Sequence, residues 1–589
     1  MKILSVFLLF ISLFAQEHIV MLSQYDENIT QAKENNTSLN IPKSINDENR
    51  TLEKNVTNHL ELYLLNELSY REDTLKLYAL LYDDNSKFLW FNNQKHFTQN
   101  SLEIIKYIKK SLEHGLNPEL YHKKEIFKLT KKILDNDIEN KDEAIRRLDI
   151  LFTDAYISLA HDLYYGFTNW KEIVKISKLK KEKFEWLRSK KSFDFIKYLA
   201  DNIKENNITK SLENLAPHFK EYKRLQTALK YYRNIQKNGG FVKIPEGKTI
   251  RYKDHDARIP LIRKRLFMDD NQTDDPTFYD TKLLRAVKDF QQRFSLRPDG
   301  SIGQKTIKAL NITVSEIIDK IILNLERYRW MPKDIDKTVI EVNIPSFLMK
   351  LKENEQNILS IPVVIGKKER PTPVFNSKIS SLVLNPYWHV PKTIVKKDLL
   401  KRLKENPDSI NEKNMHIYDN WKMENEIDVY DVNWNQFTED DNIPFVFVQD
   451  PGIHNPLGKI KFQFSNPFAV FMHDTPHKNL FSRNKRYFSS GCIRLEKPMK
   501  LLRYIIKRDQ TLTFNEVKDM IDSGNHSTIV LNKRIPIIIK YITVEADENG
   551  KIRLYDDIYD YDRIQLLVLK PNSQSQIKFA LNKSKINNQ

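Results

Sequence analysis

From residue 51 to about 235, apolar residues recur at three- and four-residue spacing. Examples are Leu102-Ile105-Ile108-Leu112 and Leu148-Leu151-Ala155-Leu159, running on to Leu163. That period lays one apolar stripe along a helix and predicts a helical domain over 51–235. Pro and Gly fall between the runs, as in His114-Gly115-Leu116-Asn117-Pro118, where they mark turns. Near residue 336 the period changes. Residues 338–344, Thr-Val-Ile-Glu-Val-Asn-Ile, alternate and are β-branched, and further strand-like pieces fall at 361–365, 379–384, 445–448 and 468–472. The pattern predicts a multi-domain α+β chain, helical first and mostly β over 336–545.

Between these regions lies a compact unit at 251–312. Ile262, Leu266 and Phe267 start one helix, and Asp280 is placed to cap a second that carries Leu284, Ala286, Val287, Phe290 and Gln291. The turn Asp299-Gly300-Ser301-Ile302-Gly303 precedes a third helix with Thr306, Ala309 and Leu310. Residues 313–335 read as a connecting helix. Residues 395–440 interrupt the strand pattern with charged helical sequence and the aromatics Trp421 and Trp434. They read as a capping insertion over a site or as a long surface insertion. Residues 546–589 form a C-terminal tail.

At the N-terminus, Met1-Lys2 and an apolar run to Phe14 read as a secretory signal over 1–15. Leu13 fits a small-residue cleavage site poorly, which leaves an uncleaved anchor as the alternative and as the one expected tie to a membrane. Residues 16–50 are rich in Asn, Glu, Ser and Lys and read as a disordered linker.

The balance of 95 Lys and Arg against 78 Asp and Glu gives +17, spread along the chain. Nucleic acid, an anionic membrane surface or an anionic wall polymer would all suit it, but no nucleic-acid motif is present. A Lys-rich proteome would produce the same balance.

One cysteine stands in 589 residues. It has no disulfide partner in its own chain, so it is a small buried hydrophobe or a reactive group. Its setting is Ser489-Ser490-Gly491-Cys492-Ile493-Arg494, with His473 nineteen positions earlier in Phe471-Met472-His473-Asp474-Thr475-Pro476. Gly491 permits close backbone approach, and a histidine is available to take the thiol proton. His473 and Arg494 both favour thiolate, so the thiol is expected below the usual value of about 8.5. A zinc set of His473, His477, Cys492 and His454 matches no standard ligand spacing and lacks a second cysteine.

The order His, spacer, Ser-Ser-Gly-Cys-x-Arg resembles the L,D-transpeptidase (YkuD) family, whose usual histidine before the glycine is here Ser490. It is closest to the large, multi-domain branch. Lys87-Phe88-Leu89-Trp90, Tyr121-His122 and Leu215-Ala216-Pro217 resemble that branch's scaffold. Residues 254–311 resemble the three-helix peptidoglycan-binding module. Residues 324–330, Arg370-Pro371-Thr372-Pro373, 384–391 and Asn455-Pro456-Leu457-Gly458 resemble its catalytic domain.

The resemblance implies acyl transfer without a cofactor or metal. Cys492 would be the nucleophile and His473 the base, or the imidazolium half of an ion pair. The backbone at Gly491 and Cys492 would form the oxyanion site, and the Asp474 carbonyl would orient His473. An Asp474 carboxylate in a triad is the alternative. Arg494, Ser490, Trp388 and His389 are the candidate substrate-binding residues. The implied reaction is 3→3 cross-linking of peptidoglycan tetrapeptide stems through a thioester, in the periplasm or cell envelope, with carbapenems as inhibitors. Trimming of the same stems by water, or a non-catalytic wall-binding role, are the alternatives.

Overall fold

The computed structural model describes residues 88–569 apart from 181, 189–191, 268–274 and 334. The signal, the linker, residues 51–87 and the end of the tail lie outside the described residues. Among the described residues no helix is long and apolar enough to cross a membrane.

The chain divides into two compact units. In the first, helix α1 (Lys141–Tyr165) is buried nearly all round. Its Asn140 cap accepts a hydrogen bond from the Glu143 N–H at 3.1 Å. Trp90 is fully buried against it; its indole N–H donates to Thr153 Oγ1 at 2.9 Å and its backbone N–H to Asp149 Oδ1 at 2.8 Å. Tyr121 donates to the Asp162 carboxylate at 2.7 Å. These buried polar pairs explain why the Trp90 and Tyr121 segments stand out in the sequence.

The second unit takes residues 168–190 as well as everything from 219 onward. Helix α2 (Trp170–Leu179) therefore belongs to the β-rich core, where Ile173 and Ile176 are buried. Trp186 bridges to Val374, and its ring lies 5.1 Å from that of Trp330.

The three helices Ile259–Arg265, Thr281–Arg293 and Gln304–Leu310 form the expected small unit. Asp280 caps the middle helix, accepting from the Leu283 N–H at 2.7 Å. Buried Gln291 ties that helix to the turn: its amide donates to Ser301 O at 2.9 Å, and its oxygen accepts from the Gly300 N–H at 2.9 Å. Gly300 has φ +81°, and a Cβ there would meet Leu284 Cδ1 at 2.4 Å, so glycine is required.

Helix α3 (Val314–Arg329) opens on a capping box of Thr313 and Glu316. Its last turn is a buried polar hub. Arg327 bonds Asp562 at 2.7 Å, Arg329 bonds Glu326 at 2.8 Å, and Asn324 accepts from the Thr543 N–H at 2.8 Å. The motif at 324–330 thus fastens this helix to the C-terminal segment.

The large sheet contains β1 (Thr338–Asn343), β2 (Leu348–Glu353), β3 (Gln356–Gly366) and β4 (Phe375–Leu384). Strands β5 (Trp388–His389), β6 (Met415–Tyr418) and β7 (Val446–Gln449) form a separate small sheet. The large sheet continues with β8 (Ile460–Phe464), β9 (Met472–His473), β10 (Tyr487–Ser489), β11 (Ile493–Leu495) and β12 (Ser527–Lys540). Its order is β10-β3-β11-β9-β8-β4-β12-β1-β2, and β2 also pairs with β3. Eight strands therefore close on themselves, with β10 attached to β3. Their inward residues, among them Ile340, Met349, Val363, Leu382, Phe462, Met472 and Ile493, fill the core.

The insertion has its own core, centred on Leu403, Ile417, Trp434 and Phe447. It extends beyond 395–440 to include β5 and β7, and it is mixed: short helical turns pack on the three-stranded sheet β5-β7-β6. Trp434 lies in that core, with its indole N–H on Val429 O at 2.8 Å, whereas Trp421 is exposed.

Candidate active site

Register places the site. Strands β8, β9 and β11 are neighbours, and Lys461 pairs with His473, which pairs with Arg494. Paired residues share a face, and the alternation carries Cys492, two residues before Arg494, to that same face. The opposite face holds Phe462, Met472 and Ile493, all fully buried. Four chemistry-bearing side chains, Lys461, His473, Cys492 and Arg494, are thus gathered on one face, with Cys492 also packed against the edge of the core.

Cys492 is partly exposed. The turn before it is held tightly. Ser489 Oγ donates to the Cys492 carbonyl at 2.5 Å and accepts from the Gly491 N–H at 3.1 Å. The Gly491 N–H is therefore occupied. Gly491 has φ +119°, while a Cβ there would only touch Val470 at 3.5 Å; conformation rather than crowding requires glycine. Thr372 Oγ1 donates to the Gly491 carbonyl at 2.7 Å and accepts from the Gly366 N–H at 2.8 Å. The 370–373 motif thus supports the cysteine turn from below.

Ser490 is exposed and accepts from Arg370 at 2.9 Å. The same guanidinium grips Asp398 of the insertion through two bonds, at 2.6 and 2.9 Å. Arg370 therefore joins the cysteine turn to the insertion, and the strong bidentate geometry fixes their spacing.

His473 is buried, and its Nδ1 donates to the Asp474 carbonyl at 2.5 Å. A carbonyl only accepts, so Nδ1 carries the proton and Nε2 presents its lone pair. The Asp474 carboxylate is turned elsewhere, to the Lys459 N–H at 3.0 Å and Lys478 at 2.7 Å. This geometry matches the carbonyl arrangement and leaves the carboxylate triad without its contact. Gly458 allows the approach: with φ +61°, a Cβ there would meet Asp474 Oδ2 at 2.4 Å. The Leu457 backbone also lies against His473 and, with the Asp474 carbonyl, favours its charged form.

Burial holds the His473 imidazole down at about 3, with the Arg494 charge adding to it and the backbone bonds to Asp474 and Leu457 opposing. Burial likewise pushes the Cys492 thiol up to about 11, against a bond from the Phe471 backbone and the charges of Lys461 and Arg494. The expectation of a thiol below 8.5 is therefore reversed, because desolvation outweighs the two cations. Both shifts favour a neutral thiol and a neutral imidazole over an ion pair. Among the described residues no hydrogen bond joins the two, and such bonds commonly tighten only when substrate arrives.

This ionisation predicts a pH dependence. Iodoacetamide alkylation of Cys492 should rise roughly tenfold per unit from about pH 7 to 10 without levelling; a plateau below about pH 8 would contradict it. Stability carries the matching signs. The folded imidazole lies below its ordinary 6.5, so its contribution is complete above that value and is lost as pH falls toward about 3. The folded thiol lies above its ordinary value, so its contribution is present below that value and lost as pH rises toward about 11.

The other expected residues divide. His389 is exposed, 6.0 Å from the Trp421 ring, and is held below its ordinary value by burial and by Lys461 and His526. Trp388 packs against the insertion's own core. Among the described residues no group of three His, Cys, Asp or Glu side chains is arranged to hold a metal. The residue that sequence reasoning missed is Lys461. Its signal was the alternation of Ile460-Lys461-Phe462-Gln463-Phe464, which puts Lys461 on the face opposite the core, where a lysine reads as solvated surface.

A helical first part, a small three-helix unit and a closed β-rich domain bearing cysteine and histidine on one face define the class. Residues 337–513 match the L,D-transpeptidase catalytic (YkuD) domain, residues 76–229 a scaffold domain, and residues 264–310 a "Putative peptidoglycan binding domain". Residues 337–513 are thus similar to an L,D-transpeptidase catalytic domain. The chain is 33% identical over 274 residues to a "Putative L,D-transpeptidase" of Haemophilus influenzae, covering 46% of this chain and 54% of that relative. The chain thus spans about half the length of the curated relative it matches. Among solved structures, an L,D-transpeptidase from Mycobacterium smegmatis is 12% identical, covering 35% of this chain and 58% of that one, with a TM-score of 0.18. One from Xylanimonas cellulosilytica is 14% identical, covering 50% and 98%, with a TM-score of 0.16.

Proposed function

We propose that this chain is a cysteine-dependent L,D-transpeptidase that forms 3→3 cross-links between peptidoglycan stems in the periplasm or cell envelope. The observation that carries the reading is the single face shared by Cys492 and His473, with His473 held as a base by the Asp474 carbonyl. A donor tetrapeptide brings the carbonyl of its third residue to the thiol. His473 Nε2 takes the thiol proton as sulfur attacks, and the Cys492 N–H stabilises the oxyanion. The tetrahedral intermediate collapses with loss of D-alanine, whose nitrogen receives the proton from His473. A side-chain amine of a second stem then attacks the thioester, gives up its proton to His473 and restores the thiol.

Mass spectrometry of purified muropeptides after incubation with the full chain tests this reading. Dimers joined 3→3 with release of D-alanine support it. Shortened monomers alone would assign the chain to L,D-carboxypeptidation, and unchanged muropeptides to wall binding without catalysis.

The thiol should also open carbapenem β-lactams. Intact mass is expected to show one added carbapenem, located on Cys492 after digestion. Addition elsewhere, or none, would count against Cys492 as the nucleophile.

A further inference from the structure

Several buried cations of the β-rich unit have counter-ions, whereas Arg265 and Arg486 are satisfied by backbone carbonyls. Arg327 has Asp562, Arg329 has Glu326, and Lys540 has Glu341 at 2.7 Å. Lys461 and Arg494 do not: among the described residues neither has a carboxylate within ion-pair distance, although both are half-buried. The Arg494 Nε is itself buried without a hydrogen-bond partner. Withdrawing a cation from water without an anion is unfavourable, so this arrangement is explained by an anion that arrives from outside.

The geometry says where. Lys461, His473 and Arg494 are successive cross-strand partners, so the two cations flank the histidine on the face that carries Cys492. Across two strand spacings their backbones lie roughly 10 Å apart, a gap that two long side chains bridge around one carboxylate. The Lys461 ammonium sits 4.2 Å over the ring of Phe471, two residues before His473 on the neighbouring strand segment. Burial pushes the thiol's pKa up, which disfavours it as the resting counter-ion.

We propose that Lys461 and Arg494 form a two-cation slot that seats the free terminal carboxylate of the donor peptide, with Lys461 a specificity-determining residue for that charge. This rests on the transpeptidase reading. In that reaction the attacked carbonyl belongs to the penultimate residue, and the terminal carboxylate lies three bonds from the attacked carbon. Any donor therefore brings one negative charge to the immediate neighbourhood of Cys492. Two unpaired cations beside the nucleophile select a chain end over an internal peptide bond, which has no such charge.

The test compares alkylation of Cys492 by iodoacetate and by iodoacetamide, which share a leaving group and differ in charge. It uses the full chain and intact mass at low salt, where ion pairing is least screened. Lys461→Gln is expected to lower the iodoacetate rate about fivefold relative to iodoacetamide, the scale of one partly screened charge pair. Lys461→Arg should keep the ratio, which separates charge from packing, and thermal melting checks that each variant is folded. In parallel, a tetrapeptide donor is compared with its C-terminal amide. Lys461→Gln should raise KM for the free acid several-fold more than for the amide. An unaltered alkylation ratio in folded Lys461→Gln overturns the slot. Equal loss with acid and amide overturns its assignment to the terminal carboxylate. If the wild-type chain processes neither peptide while Lys461→Gln still shifts the alkylation ratio, the transpeptidase reading is overturned and the anion slot stands.

Discussion

Cys492→Ala is expected to end release of D-alanine from a tetrapeptide donor, lowering turnover by about four orders of magnitude or more, the scale on which removal of a nucleophile disables other acyl-transfer enzymes. The fold should barely register the change. Cys492 is partly exposed and holds no disulfide, and its turn is fixed by Ser489, Thr372 and the backbone of Gly491, none of which needs the sulfur. A shift of about 1 kcal/mol would move the melting midpoint by only about 2–4 °C in a domain of this size. Cys492→Ser should fail as well, because a neutral imidazole that holds its proton only below about pH 3 is a weak base toward an alcohol. Release of D-alanine by the alanine variant at a substantial rate would remove Cys492 from the mechanism.

The second large effect belongs to His473. On the proposed mechanism the thiol proton leaves during attack, and His473 Nε2, with Nδ1 held by the Asp474 carbonyl, is the acceptor. His473→Ala should lower turnover by roughly a hundred- to ten-thousand-fold. His473→Gln is the sharper variant. Its amide can still donate to the Asp474 carbonyl and fill the space, but it cannot take a proton, so it should be equally inactive. Glutamine-level activity near wild type would reduce His473 to a packing residue.

What the sequence revealed and what it hid follow from the range of the interactions. The helical first part, the three-helix unit and the change to strand period were legible, because each rests on local periodicity and on turns that need glycine, as at Gly300. So was the Asp280 cap, whose hydrogen bond spans three residues. The motifs at 324–330, 370–373 and 455–458 were visible, but their work was not. Arg327 reaches Asp562, Thr372 reaches Gly491, and Leu457 reaches His473 only after the chain has folded.

Residues 168–190 read as part of the helical stretch yet belong to the β-rich unit's core, where Ile173, Ile176 and Trp186 pack; periodicity says that a helix has an apolar face but not what covers it. The small sheet of the insertion was hidden because its strands are too short to show a period. Lys461 was invisible for a related reason: one lysine on the outward side of a strand looks like any other until register sets it beside His473. The thiol's ionisation was misjudged because sequence names the charged neighbours of Cys492 but not the extent of its desolvation.

The central claim is that Cys492 carries the acyl group. Intact mass of the full chain, quenched in acid within seconds of mixing with a donor tetrapeptide, tests it most directly. The account predicts an added mass equal to the donor less one alanine, located on Cys492, sensitive to hydroxylamine as a thioester is, and absent from Cys492→Ala. D-alanine release with no such adduct, or an identical adduct on the alanine variant, would contradict it.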